Sequence, residues 1–447
     1  MAISLTTEQI VALAPDPASA KAGQALASPG KWGALGWKEQ AVWGECQGSG
    51  SKPYQVQIDL SEPAFRCTCP SRKFPCKHGL GLFLIFVNHA AAVREGAAPA
   101  WVAEWLAKRG EKAEKQKSVS AEPERPKSEA ELAKAAEQQT KRAEQREKKV
   151  ADGLADLQLW LCDLARHGLA SVQSRPYKFW DEAAGRLVDA QAPGPARMLR
   201  EMASIPATGE GWQERLVEQI GLLTLLAEAY SRIETLPEPV QADVRDALGW
   251  NVRQDGVLTG EGVADTWSVL GQNAYGEEQL RVSRTWLRGR NSGRYALILQ
   301  FTRPGQPLET VLAAGTQFEG EMAFFPGACS LRALVKARSA ATEPLTALPA
   351  RLSIAAALDA CADMLARSPW IAVLPIVLGQ VTPAVSNGIW HVQDQDSISL
   401  PLDSDFAQGW KLMAVSGGHP VDLFGEWNGR ELFPLSAWHQ GKLILLM

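Results

Sequence analysis

Four soft metal ligands fall within twelve residues of this chain: Cys67-Thr68-Cys69 and then, six residues on, Cys76-Lys77-His78. The spacing is C-x-C-x6-C-x-H, and no other feature constrains the fold as tightly, because four donors must converge on one point. Three thiolates and one imidazole form a tetrahedral Cys3His set, which is the donor set of a closed structural Zn2+ site. On a strand, Cys67 and Cys69 share a face, so both reach one ion if the chain bends after them. Pro70 and Ser71 supply that bend. Residues two apart on a helix point about 200° away from each other. The sequence therefore predicts Cys76 just before a helix and His78 in its first turn, with Pro75 setting the entry. The apolar run Leu80, Leu82, Phe83, Leu84, Ile85, Phe86 and Val87 reads as the buried body of that helix. A catalytic zinc keeps an open coordination position, and four protein ligands leave none, so one structural Zn2+ is expected. A redox dithiol is a poor fit to C-x-C with a distal C-x-H. Cys46 is a candidate fifth ligand, although a small apolar strand residue is the preferred reading. His89 is expected to be exposed or capping, and Cys162, Cys329 and Cys361, isolated among apolar neighbours, to lie in the core.

These residues resemble the SWIM zinc fingers, a family defined by C-x-C-x(n)-C-x-H. The likeness extends through Trp43-Gly44-Glu45-Cys46-Gln47-Gly48-Ser49-Gly50, Pro53-Tyr54 and the run Phe65 to His78 (FRCTCPSRKFPCKH), and looks like the bacterial branch. It covers residues 30–105, and the helical stretch after residue 150 also resembles such proteins. The resemblance implies binding to nucleic acid or to protein, since family members include transposase-like, helicase-like and ubiquitin-ligase proteins. It further implies a MoxR-type AAA ATPase as partner, since similar proteins are often encoded beside such ATPases and von Willebrand-type domains.

At 447 residues the chain is too long for one hydrophobic core and implies about three domains. A hydrophobic content of 46% and a charged content of 21% are ordinary for a soluble globular protein. The start, MAISLTTEQIVALAPD, has no basic region ahead of an apolar stretch, so no signal peptide is expected. The longest apolar runs, Leu80–Val87 and Trp370–Leu378, are far short of the ~20 residues that span a bilayer. Seven cysteines without a disulfide-like pattern point to the reducing cytoplasm. A net charge of −4 argues against a protein dominated by nucleic-acid binding, so any such activity would be local.

The expected class is a multidomain α+β protein in four parts. Residues 1–107 form a small zinc-binding α+β domain, opened by an alanine-rich helical stretch with a capping-box candidate, Thr6-x-x-Gln9. Tyr54, Val56, Ile58 and Leu60 alternate as in a half-buried strand, with Gly48-Ser49-Gly50-Ser51 as the preceding hairpin turn. Residues 108–149 read as a flexible linker to 127 and then an exposed helix capped by Ser128. Residues 150–250 form an all-helical domain. Its first helix has a seam at Val150, Leu154, Leu157, Leu161 and Leu164, and further helices are expected at 177–190, 195–203, 212–235 and 239–248. Residues 251–447 form a β-rich domain with one inserted helix at 352–367. Its candidate strands are 294–302, 322–325, 370–381, 389–392, 410–416, 421–427 and 431–435, and Asn428-Gly429 signals a type I′ hairpin.

Three functions compete. The first is an adaptor whose zinc and β domains grip protein partners, with the helical part as spacer. The second is DNA or RNA binding through Arg66, Arg72, Lys73 and Lys77 around the ligands, although those cations equally offset the net negative charge of a three-thiolate Zn2+ site. A second basic surface is the hairpin 281–294, where Arg284, Trp286 and Arg288 share a strand face, although an aliphatic-stem cover over Trp286 is the plainer reading. The third is an enzyme with an unrecognised site in the C-terminal domain. No G-x-S-x-G, H-E-x-x-H or phosphate loop supports it. Asp394, Asp396, Asp403 and Asp405 lack the rest of an EF-hand pattern and read as solvated loop carboxylates. The sequence favours a non-catalytic adaptor.

Overall fold

Thr6 closes the predicted capping box: its hydroxyl accepts from the Gln9 N–H, and its own N–H donates to Gln9 Oε1 at 2.8 Å, starting the helix Thr7–Ala12. The computed structural model describes residues 5–48, 52–60, 64–71, 73–118, 129–250, 252–277, 280–303, 306, 308, 310–339 and 341–446. Turn residues 49–51, Arg72, linker residues 119–127 and the expected cap Ser128 lie outside the described residues.

The first sheet has the order Ala64–Cys67, Tyr54–Asp59, Ala41–Cys46, Trp32–Lys38 and Arg94–Glu95, antiparallel except for the last pair. The helix Lys77–Asn88 covers it with Leu80 and Leu82 to Ile85 fully buried, and His89 is an exposed C-cap. A second helix, Pro17–Ala25, crosses it so closely that a Cβ on Gly23 would sit 2.7 Å from Leu80 Cβ. One on Gly81 would sit 2.9 Å from Leu26 Cβ. Only glycine allows that approach without a shift.

The charged middle differs from the sequence reading. The helix Ala100–Ser118 continues ten residues past the expected start of the linker at 108, anchored by buried Val102 and Trp105 and by Arg109 on Asp59. The exposed helix and the seam helix are one element, Glu129–Arg166. Residue 150 marks where one face of a continuous helix becomes covered: Val150, Leu154, Leu157, Leu161 and Leu164 are all buried. Cys162 is exposed rather than core. Its neighbours in sequence are apolar, but it lies about 100° around the helix from Leu161, off the seam. Helices Tyr177–Asp189, Pro193–Met202, Trp212–Ser231 and Glu238–Ala247 complete this core around Trp180, Leu199, Leu223 and Val244.

The C-terminal part holds two six-stranded sheets. One runs Ala333–Arg338, Thr316–Phe324, Gly262–Glu277, Leu280–Gly289, Tyr295–Thr302, with Glu343–Pro344 beside Thr316–Phe324. The other runs Ser399–Pro401, Ile389–Gln393, Leu374–Ser386, Val421–Trp427, Leu432–His439, Lys442–Leu445, and the inserted helix Ile354–Arg367 packs on it. The predicted strand at 410–416 is instead the helix Gly409–Ser416, closed by Gly417 in the left-handed region at φ 59°. Leu412 and Ser416 are buried four residues apart while Trp410 stays 76% exposed, which is a helical spacing. The hairpin at Asn428-Gly429 is present, but only Gly429 has positive φ (93°). Asn428 Oδ1 accepts from the N–H groups of Arg430 and Glu431, so the turn is of the Asx kind rather than type I′.

The sheets are joined through Glu426, a buried carboxylate that accepts from Trp286 Nε1 (2.7 Å), Arg284 Nη1 (3.0 Å) and Asn273 Nδ2 (3.1 Å). The β-rich part also meets both other parts. Gln9 Nε2 donates to Ala314 O, and Arg281 Nη1 donates to Phe74 O from across to the zinc module. On the helical side Trp370 Nε1 donates to Leu222 O, the Ala328 N–H donates to Asp243, and Arg430 pairs with Glu218. The helical part is therefore docked on the sheets.

Candidate metal centre

Cys67 is the last residue of its strand, opposite Val56, and the chain bends at Cys69 and Pro70. That bend lets the Cys69 N–H donate to Cys67 Sγ at 3.5 Å. Cys76 is the N-cap of the helix Lys77–Asn88, with extended φ −76° and ψ 165°, and His78 stands in the first turn. Cys76 and His78 stand where the spacing predicts, but the strand ends at Cys67 and the bend comes one step early, so Cys69 sits in the bend rather than on the strand face. Cys67 Sγ lies 3.8 Å and Cys76 Sγ 4.0 Å from His78 Nδ1, and the four donor atoms all fall within 4.8 Å of one another. A tetrahedron with vertices ~2.3 Å from its centre has edges of about 3.8 Å, so the set fits one Zn2+. Cys76 and His78 are buried, Cys67 and Cys69 half-buried, and the Tyr54 ring packs 5.1 Å from the imidazole.

The electrostatics suit a thiolate site. A hydrogen bond from Cys67, with others from His78 and the Gly79 N–H at the helix start, outweighs burial and brings the Cys76 thiol down to about 4. Cys67 is pushed up by its bond to the Cys76 thiolate and by burial, and Cys69 by burial. A bound ion would take all three as thiolates and release the protons of Cys67 and Cys69. Cys46 stands outside this four-donor set. It is buried at a strand end, and burial raises its thiol. It is a core residue.

The expected nucleic-acid contacts lie on the strand, loop and helix that carry the ligands. Arg66 and Lys77 are exposed, and Arg72 lies outside the described residues. Lys73 Nζ is held 2.9 Å from Asp16, the N-cap of Pro17–Ala25. The hairpin surface does not form: Trp286 is fully buried, Arg284 is tied to Glu426, and Arg288 lies over the Tyr295 ring. No base could stack on Trp286. Asp394 is buried rather than solvated. It accepts from the N–H groups of Ile354, Asp396 and Ile398, so it caps a helix and shapes a loop.

The sequence did not reveal a cleft of about 920 Å3 between the metal loop and the C-terminal sheets. Phe74 and Pro75 line it from the metal loop, Val11 and Ala20 from the first two helices, and Phe406, Phe433 and Leu445 from the C-terminal part. These segments are far apart in the chain, so no local pattern announces the cleft. Among the described residues no helix is long and apolar enough to cross a membrane.

Comparison with known proteins agrees with the geometry. The SWIM zinc finger family matches residues 54–85, and the SWIM-associated four-helix bundle domain matches residues 145–248. Neither a curated protein nor a solved structure matches the chain.

Proposed function

We propose that this chain, which carries a SWIM zinc finger and the SWIM-associated four-helix bundle, is a non-catalytic cytoplasmic adaptor that binds a protein partner. The observation that carries this reading is the docking of the finger. Its metal loop is not presented alone on a tether but is joined through Arg281 and Phe74 to the C-terminal sheets, making a composite apolar cleft. Concave, mostly apolar surfaces with a few polar groups are where ligands bind. A four-ligand site supplies no coordination position for substrate, which favours a structural role for the metal. The resemblance makes a MoxR-type ATPase the first partner to try. Affinity capture from native lysate, with and without nuclease, tests the reading. The same proteins should be recovered in both samples, and partners that disappear on nuclease treatment would reverse it.

The second reading, nucleic-acid binding, rests on the exposed Arg66 and Lys77 beside the ligands. It requires duplex DNA or RNA binding at ~150 mM salt that weakens in Arg66→Gln/Lys77→Gln. The salt slope on duplex DNA should then fall by about 0.9 for each phosphate no longer neutralised.

A further inference from the structure

We propose that the cleft between the metal loop and the C-terminal sheets binds an extended apolar segment of a protein partner bearing a carboxylate, with Arg281 as its counter-charge. The inference rests on the adaptor reading and names the chemistry of the partner. Three observations support it.

The first is charge. Arg281 is half-buried in the cleft wall, and its hydrogen bond among the described residues is a long one, 3.4 Å, to Phe74 O. A guanidinium has five N–H donors in a planar fork that matches a carboxylate. Asp16, the acid whose charge reaches it, is already engaged by Lys73 and by Ser19. Lys21 and Lys411 also line the cleft, against Asp405 as the other acid. An occupant with negative charge is complementary.

The second is the sheet edge. Lys442–Leu445 is the terminal strand of its sheet, and Ile444 and Leu445 line the cleft. The Leu445 carbonyl turns to Lys411 Nζ at 2.7 Å rather than to another strand. Lys411 reaches that carbonyl from the helix Gly409–Ser416, so among the described residues the edge is unpaired by any strand, and an incoming extended segment displaces the lysine by adding one. A fatty acid has the carboxylate and the apolar body but no backbone to pair with that edge. The aromatic walls do not suit the dense phosphates of a nucleic acid.

The third is the metal loop. Pro75 adjoins the ligand Cys76, and Phe65 precedes the ligand Cys67 by two residues, so the ion fixes one wall. Zinc and segment therefore favour each other's binding, and the coupling is reciprocal.

Selection of a phage-displayed library of random peptides on the full-length zinc-loaded protein tests the proposal. Selected peptides should combine apolar residues with Asp or Glu. Fluorescence polarisation should show them binding about tenfold or more weakly to Arg281→Gln. Replacing the peptide's acid by its amide should cost the same in wild type and nothing further in Arg281→Gln. Bound peptide should slow amide exchange at residues 442–446, and chelated protein should lose the affinity. No selected peptide, equal binding to Arg281→Gln, or no protection of the edge strand would overturn the proposal. Labelled oleate that binds wild type and excludes the selected peptide would reassign the cleft to a lipid. If affinity capture recovers partners equally with wild type and Arg281→Gln, this inference fails while the adaptor reading stands.

Discussion

Cys76 serves at once as helix cap and metal ligand, and the hydrogen bond from Cys67 holds its thiol well below the ordinary cysteine value. Cys76→Ser substitutes a neutral hydroxyl for a soft thiolate, so metal analysis should fall from about one Zn2+ per chain to none. One equivalent retained would remove Cys76 from the ligand set. The raised Cys67 and Cys69 thiols must lose protons to the ion, so zinc affinity should fall as pH is lowered, which a competition titration with a chromophoric chelator would show. These ligands were legible because all four donors lie in one short stretch and their spacing dictates strand, bend and helix. Pairings across the chain were not. Nothing in the local sequence marks the Lys73–Asp16 pair or the burial of Glu426. Its three partners are 140 to 153 residues away in the chain. Glu426→Ala leaves the largely buried Arg284 guanidinium without its carboxylate and with only Tyr275 as a partner among the described residues, and breaking a buried pair in this way costs about 3–5 kcal/mol. The denaturant midpoint of the C-terminal part should drop accordingly, and an unchanged midpoint would show that the network contributes nothing net.

At the scale of elements, hydrophobic period is a sound guide to long segments and a poor one to short segments. The seam from Val150 to Leu164 is plain in the sequence, but polar residues upstream hide the fact that the same helix begins at Glu129. Residues 147–149 are exposed and Val150 is buried, so composition changes along the helix while the element does not. The run at 410–416 is too short for either period to win on sequence, and tertiary burial of Leu412 and Ser416 decides it. Turn chemistry is similarly hidden at residues 290–293. Asp265 accepts from the N–H groups of Thr266, Asn291 and Ser292 and from Asn291 Nδ2 at 2.7–3.0 Å, pinning that turn to the strand Gly262–Glu277. Burial raises its pKa, but the bonds from Ser292, Asn291 and Thr266 prevail and hold the carboxyl below its ordinary value. A depressed folded value stabilises the protein above the unfolded pKa, and the benefit fades as pH falls through the folded one. Asp265→Asn should therefore destabilise at pH 7, while at ~pH 3, below the unfolded value of about 3.9, the gap from wild type should narrow. Thermal unfolding at the two pH values is the measurement, and a gap that widens in acid would contradict the assignment.

For the whole molecule, the three kinds of structure were legible as changes in composition and period, whereas their assembly was not, since the contacts that dock them are single residues far apart in sequence. Gln9, on the first helix, reaches Ala314 O, 305 residues along the chain, and Leu443 packs beside Gly315 in the same place. A finger on a flexible linker and a finger docked on the sheets respond differently to loss of metal. Structural zinc supplies on the order of 10–16 kcal/mol of apparent binding free energy in finger peptides, so chelation should unfold the first sheet and its helix in either case. The bundle and the C-terminal sheets keep their own cores, and limited proteolysis should leave a stable fragment that begins after the finger. Docking adds a further consequence. Once the finger melts, the Ala314 carbonyl loses Gln9 and the strand Lys442–Leu445 loses its contact with the helix Thr7–Ala12, while the seam at 150–164 is untouched. Hydrogen exchange on chelated protein should therefore speed up at 313–315 and 442–446 as well as within 32–95, and stay slow along the seam. Acceleration confined to 32–95 would show that the finger is tethered beside the sheets rather than built into them.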